Sequence, residues 1–509
     1  MSKELEEKGN ACVVQNGSVS KIQITVTTFC EDENGTLDEK AATTSSAKID
    51  GEDENSNISS SPQAQIVRNL LVLSFGQFLL FMAFDTMSNL QSTINGDAGV
   101  GVVSLAVIYG FLTFSSLFLP TLIIRSLGCK KTLVFSVISF CPYILANYYP
   151  AWSTLIPTAV VCGLVSGPLW SARSTYLNEI SHRYAEMRGS SAEVMNAWFF
   201  SIATTIQQNT EIWGNLISYF VLMKEDDHDS YISTAVLDHC GPDFCDDTGF
   251  SSNPNLSPPA DEKRYILVTI FTALSLMAAF FMVFFLDPLE SEESKEDESH
   301  HNFRPMDIFA TFKQMVKVDQ LLLLPLSFYT GLVDGFYNGD YSKAYVACAW
   351  GVPHVGVVSI CYGVVTAVVD SASAPTVAVL GRVGVFLVAA LAHFSLFISL
   401  TLWKPSPEHT TTFFLVAGVH GIGNGIWMSQ IVAFYGYIFK KNEEAAFSCF
   451  YFWNSLGFLV AYSYSSYFCT YIKLFIPVVM LGIGLLCYLV VEIRIVKKAL
   501  AAYNTKRVQ

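Results

Sequence analysis

Three carboxylic acids stand inside long apolar stretches of this chain: Asp85, Glu211 at the end of Gln207-Gln-Asn-Thr-Glu211, and Asp334. An ionisable side chain in such a place is costly enough that it normally faces a cavity or a partner. Lining one aqueous vestibule, the three would take up a cation or a proton. For Glu211 and Asp334 a second reading stands beside the first, in which they lie near the outer interface and are simply hydrated. His393 and His420 are the imidazoles well inside apolar stretches. As a pair they could relay protons, but a buried neutral histidine bonded to a helix carbonyl suits them better. Arg173, with Glu179 six positions on, reads as an interfacial ion pair or a snorkelling side chain rather than a substrate ligand. His300-His301 has no third spaced ligand for a metal. With no Gly-rich phosphate loop, nucleophile–base set or zinc pattern, the chain is not expected to be an enzyme, and no cofactor, metal or nucleic acid is expected with it.

The elements that must position these groups are twelve apolar stretches of roughly twenty residues, about what a helix needs to cross the hydrocarbon layer. They fall at 69–90, 101–124, 132–149, 153–176, 196–222 and 265–286, then at 320–338, 351–370, 383–403, 411–434, 446–467 and 473–493. Composition agrees: 15% charged residues against the roughly 25% usual in soluble proteins. The lipid bilayer is the first partner, and the expected fold is an all-α membrane protein.

The net charge of −14 must sit outside the bilayer. Residues 1–65 read as an acidic, disordered tail without a cleavable secretory signal, so the first apolar segment acts as an uncleaved anchor. The remaining boundaries are a six-helix bundle at 66–286 with a large loop at 224–263, a charged linker at 287–318, a second bundle at 319–494 and a tail at 495–509. Basic residues mark one side of the short connections: Arg125, Lys130 and Lys131; Arg183 and Arg188; Arg382; Lys440 and Lys441; Arg494, Lys497 and Lys498. By the positive-inside rule both termini and the linker are cytoplasmic, and the plasma membrane is the expected location. Loop 224–263 is then external. It holds the glycosylation sequon Asn255-Leu-Ser257, followed by Pro258, whereas the sequons at Asn16, Asn34 and Asn57 fall in the cytoplasmic tail and should stay bare. Cys240, Cys245, Cys348 and Cys469 face the oxidising side, where three pairings are open. Cys240 with Cys245 is preferred, because the Gly241-Pro242 turn could bring them within disulfide reach, leaving Cys348 with Cys469.

A faint repeat crosses the halves. Tyr109-Gly110 is followed eighteen positions later by Gly128, and Tyr362-Gly363 by Gly381 at the same distance. Each glycine adjoins basic residues, as two parallel six-helix halves would require.

Several stretches, in order, resemble one family, the "uncoordinated ninety-three" proteins, a branch of the major facilitator superfamily. They are Asn89-Leu-Gln91-Ser, Pro168-Leu-Trp170-Ser, Trp213-Gly-Asn215-Leu-Ile-Ser, Cys240-Gly-Pro-Asp-Phe-Cys245, Tyr341-Ser-Lys-Ala-Tyr345-Val and Glu443-Glu-Ala-Ala-Phe447. The loop cysteines are most like the branch holding the A-type animal paralogue. Two departures stand out: Arg125-Ser-Leu-Gly128-Cys-Lys130-Lys131 lacks the superfamily's usual Asp, and Asn424 stands where an Asp is expected. The resemblance implies twelve helices in two halves and a regulator or trafficking partner of a potassium channel, or of another membrane-protein client, supporting ion homeostasis. One branch of the family is associated with a two-pore-domain potassium channel, and another escorts nucleic-acid-sensing Toll-like receptors from the endoplasmic reticulum. The alternative is a secondary transporter moving a small solute or ion through a central cavity.

Overall fold

In lipid the backbone has no water to bond, so an apolar run of this length satisfies its own amides by becoming a helix. The computed structural model describes residues 62–96, 99–190, 192–223, 234–245, 253–289, 312–439 and 443–508, and every regular element among them is helical. The tail sequons Asn16, Asn34 and Asn57, most of the linker, His300-His301, Lys440 and Lys441 lie outside the described residues.

The principal helices are α1 (Pro62–Ile94), α2 (Val100–Leu127), α3 (Cys129–Ala146), α4 (Trp152–Arg188), α5 (Ala192–Gln208), α6 (Thr210–Leu222) and α7 (Asp261–Phe285). They continue with α8 (Val318–Phe336), α9 (Pro353–Leu402), α10 (Thr410–Ile438), α11 (Glu443–Ser465) and α12 (Thr470–Val508). Among the described residues, nine helical segments are long and apolar enough to cross a membrane. The expected spans that fall short are the fifth, seventh and tenth, those carrying Glu211, Asp334 and the pair His420 and Asn424. The fifth is broken into α5 and α6 at Asn209, and the seventh runs from α8 into a π-helix at Tyr337–Ala347.

Two large apolar cores result, one drawn mostly from residues 66–286 and the other mostly from 323–491. α8 and α11 touch through glycine: a Cβ at Gly331 would lie 1.8 Å from the Asn454 carbonyl oxygen, the small-residue contact that membrane helices use to pack closely. Gly128, between α2 and α3, has φ 79° and ψ 163°, and Gly381, inside α9, has φ 70° and ψ 162°. Nothing lies within 4 Å of a Cβ added at either, so the backbone conformation is what requires glycine there. The repeat seen in the sequence thus extends to matching turns.

Charge ties the helix ends opposite the disulfides. Arg68 at the start of α1 pairs with Asp287 just past α7, and Asp319 at the start of α8 pairs with Arg494 and Lys498 on α12, at 2.7 and 2.8 Å. The same positions are joined with the signs exchanged. Arg382 adds a two-pronged bond to Glu492 at 2.6 and 2.8 Å.

At the other end the cysteine pairing differs from expectation. Cys240 bonds Cys348 and Cys245 bonds Cys469, so the expected Cys240–Cys245 and Cys348–Cys469 bridges do not form. The single 3₁₀ turn Gly241–Asp243 seats Cys240, fully buried, beside the far end of the π-helix. The next residues run extended to α12, where Thr470 N–H donates to the Phe244 carbonyl at 2.9 Å. The cysteines therefore serve two docking points instead of each other. Asn255 also lies there, its Nδ2 donating to the Cys348 carbonyl at 3.1 Å. Between the two staples, buried Lys473 on α12 reaches Asp340 of the π-helix at 2.7 Å.

Candidate functional site

Asp85 and Asn89 stand one turn apart on α1 and face the start of α6. Because the fifth span breaks at Asn209, α6 begins with Thr210 and Glu211, and an acid in a first turn suits the helix dipole. The Thr210 hydroxyl donates to Asp85 Oδ2 at 3.1 Å. Glu211 Oε2 accepts from Asn89 Nδ2 at 2.9 Å and from Asn215 Nδ2 at 2.8 Å. Gly214 permits this approach, since a Cβ there would sit 2.0 Å from Thr86 Oγ1. On its other side α6 meets α9 at Gly363, where an added Cβ would lie 3.0 Å from the Glu211 Cβ.

Beside Gly363, Tyr362 leads into a stack of rings. His420, Tyr337 and Tyr362 form a triangle of rings, with His420 4.2 and 5.1 Å from the tyrosine centroids and these 4.8 Å from each other, and His420 faces His393 at 5.2 Å. Asn424 Nδ2 donates to the Tyr362 hydroxyl at 2.5 Å. Asp334, only 8% exposed, brings Oδ1 to 3.5 Å from His420 Nε2. The hydrated-interface reading therefore does not hold for Asp334. The acids are linked through neighbours: Thr210, beside Glu211, donates to Asp85, Asn89, one turn from Asp85, donates to Glu211, and Glu211 leads through Gly363, Tyr362 and His420 to Asp334.

His393 is a structural side chain. Trp427 Nε1 donates to its Nδ1 at 3.2 Å, and the Tyr329 hydroxyl reaches the same nitrogen at 2.5 Å. An indole N–H can only donate, so Nδ1 is an acceptor, the ring is neutral, and its proton sits on Nε2, 3.3 Å from the His420 carbonyl. His420 differs: both its ring nitrogens are buried without hydrogen-bond partners, as are Asp334 Oδ1, the Tyr337 hydroxyl and Asn424 Oδ1. Five buried polar atoms of four residues thus have unused bonding capacity in one place. No Lys or Arg among the described residues pairs with Asp85, Glu211 or Asp334, so the acids have no basic counterpart there and the set suits a proton or a cation.

Of the other residues singled out, Gln91 lies elsewhere, donating to Asn147 at 2.8 Å and accepting from Asn95 at 2.7 Å. Trp213 is 53% exposed on the bundle surface. Trp170 stacks on Phe81 at 5.0 Å. Sequence reasoning passed over Thr210, Tyr337 and Tyr362 as site residues. Tyr362 had been noticed for its spacing alone, while Thr210 sits inside the polar run that drew attention to Glu211.

Residues 91–489 match the family described as "Ion channel regulatory protein UNC-93". The chain belongs to the UNC-93 family. It is 37% identical over 428 residues to "Protein unc-93 homolog A" of Xenopus laevis, covering 84% of this chain and 93% of that one. It is 29% identical over 439 residues to "Putative potassium channel regulatory protein unc-93" of Caenorhabditis elegans, covering 84% and 61%. Among solved structures, the nucleoside transporter NupG superposes with a TM-score of 0.56 at 14% identity over 84% of this chain and 98% of that one. At that identity the likeness speaks for fold, and the UNC-93 chain shares the architecture of major facilitator-type transporters.

Proposed function

We propose that this UNC-93 family member regulates a potassium channel or its trafficking from within the membrane. Twelve helices in two six-helix halves, a cytoplasmic location for both termini and residence in the plasma membrane belong to the same reading. What carries it is the family match, which takes in Glu211, Asn215, Asp334, Tyr362, His420 and Asn424, together with the potassium-channel name of the nematode relative. Asn424 supports it from the site itself, since an amide stands where the facilitator pattern leads one to expect an ionisable group. The test is co-expression with a panel of potassium channels, reading channel abundance at the cell surface and co-purification with this chain. A channel whose surface level depends on the chain supports the proposal, and indifference across the panel contradicts it.

Transport is the second reading, and one observation favours it: Asp85, Glu211 and Asp334 are linked through neighbours at a broken helix and a π-helix without a basic partner. Discontinuous helices are where transporters of this general kind place substrate and coupling-ion sites.

A further inference from the structure

Arg173 is 8% exposed, and its Nε is buried with no hydrogen-bond partner. It forms no ion pair among the described residues. Glu179, the acid expected to neutralise it, bonds Arg183 at 2.9 Å. Six residues along a helix turn a side chain through about 600°, leaving Arg173 and Glu179 on different faces, whereas Arg183 lies one turn from Glu179. One face of the Arg173 guanidinium lies over the Trp170 ring at 5.3 Å, and that indole stacks on Phe81 of α1. Arg173 is 21 residues from the start of α4 at Trp152, about 30 Å along the helix, which is the thickness of the hydrocarbon layer. It therefore sits at headgroup depth, at the end away from the disulfides, facing into the protein.

A buried guanidinium without a carboxylate is an expensive thing to keep in a membrane. An indole holds its face, and its fork has no acceptor among the described residues. We propose that Arg173, backed by Trp170, forms an oxyanion-binding site, taking a phosphate or carboxylate group on the guanidinium edge. A guanidinium fork matches such groups with two parallel bonds. The anion could be the headgroup of an acidic phospholipid or a soluble organic acid or phosphate reaching the site from the aqueous side. This site is separate from the carboxylates and does not depend on the channel-regulator reading.

The test uses the full chain in lipid nanodiscs. One arm has phosphatidylcholine discs titrated with succinate or inorganic phosphate, with chloride as the ionic-strength control. The other arm has discs doped with phosphatidylinositol bisphosphate. Binding is read as anion-dependent thermal stabilisation and by native mass spectrometry. Saturable binding in either arm, weakened roughly tenfold or more by R173Q and less by R173K, is expected, because lysine keeps the charge and loses the fork. The responding arm identifies the source of the anion. Should R173Q fail to fold, R173K carries the comparison, weakening the response. Equal responses of wild type and R173K to every anion in both arms, or none at all, would overturn the site.

Discussion

Asn89 Nδ2 and Asn215 Nδ2, from helices α1 and α6, converge on one oxygen of Glu211 at 2.9 and 2.8 Å. Hydrogen bonds to a charged acceptor contribute about 1.5–3 kcal/mol each, and two donors sharing an acceptor are not independent. Asn89→Ala and Asn215→Ala should each lower the unfolding temperature in nanodiscs, and the double variant should lose clearly more than the sum, because either amide alone still satisfies the oxygen. Strict additivity would mean that the two amides do not meet on Glu211.

Gly423 seats the histidine stack. A Cβ at that position would lie 2.1 Å from two atoms of the His393 ring, which is pinned from both sides by Tyr329, Trp427 and the His420 carbonyl. Overpacking a site that cannot yield costs about 1–3 kcal/mol or more, so Gly423→Ala should sharply reduce the yield of monodisperse protein. Gly482→Ala, where an added Cβ meets nothing within 4 Å, is the control and should behave like wild type. Similar yields for both variants would contradict the packing described.

Peptide mapping without reductant should recover Cys240 linked to Cys348 and Cys245 linked to Cys469. Removing either bridge should cost about 2–5 kcal/mol, with Cys240→Ser and Cys348→Ser equivalent to each other and to their double variant. Since Asn255 Nδ2 is engaged with the Cys348 carbonyl and Pro258 follows the sequon, peptide-N-glycosidase should leave the mass of the mature chain unchanged at that site. A Cys240–Cys245 peptide would restore the simple loop bridge and undo the docking.

Asp319 gives a pH signature. Burial acts to raise its carboxyl, but hydrogen bonds from Lys498 and Arg494 and their charges outweigh that and hold it below the usual carboxylate range. A lowered folded-state value means that stability is present above the unfolded value, about 3.9, and is lost as pH falls through the folded value beneath it. The stability difference between wild type and Asp319→Asn should therefore be constant near neutrality and shrink below about pH 4. A difference that grows on acidification contradicts the pairing.

Much of the site was legible because charge in an apolar stretch is conspicuous: Asp85, Glu211 and Asp334 stood out, and the structure links them through neighbours. The breaks were not, since 196–222 and 320–338 read as continuous apolar spans and the interruption at Asn209 and the π-helix from Tyr337 are seen only in the folded chain. The cysteine pairing was not, because which sulfur meets which depends on how the loop docks on the π-helix and α12, and no local spacing encodes that. The ion pair expected of Arg173 with Glu179 does not form, because helical periodicity gives Glu179 to Arg183 and leaves Arg173 without an acid among the described residues. The tautomer of His393 depends on Trp427 and Tyr329, which come from other helices, and was beyond any single-sequence argument.

Regulation of a channel and carriage of a solute are separated by recording channel current beside flux. Whole-cell potassium current would be recorded with the chain co-expressed alongside each member of a channel panel, and ion uptake would be followed in proteoliposomes holding the purified chain. The account predicts altered current for at least one channel, largely retained by Asp85→Asn, Glu211→Gln and Asp334→Asn, with no uptake above that of empty vesicles. Robust uptake that Asp85→Asn abolishes, with no change in current from any channel, would contradict it.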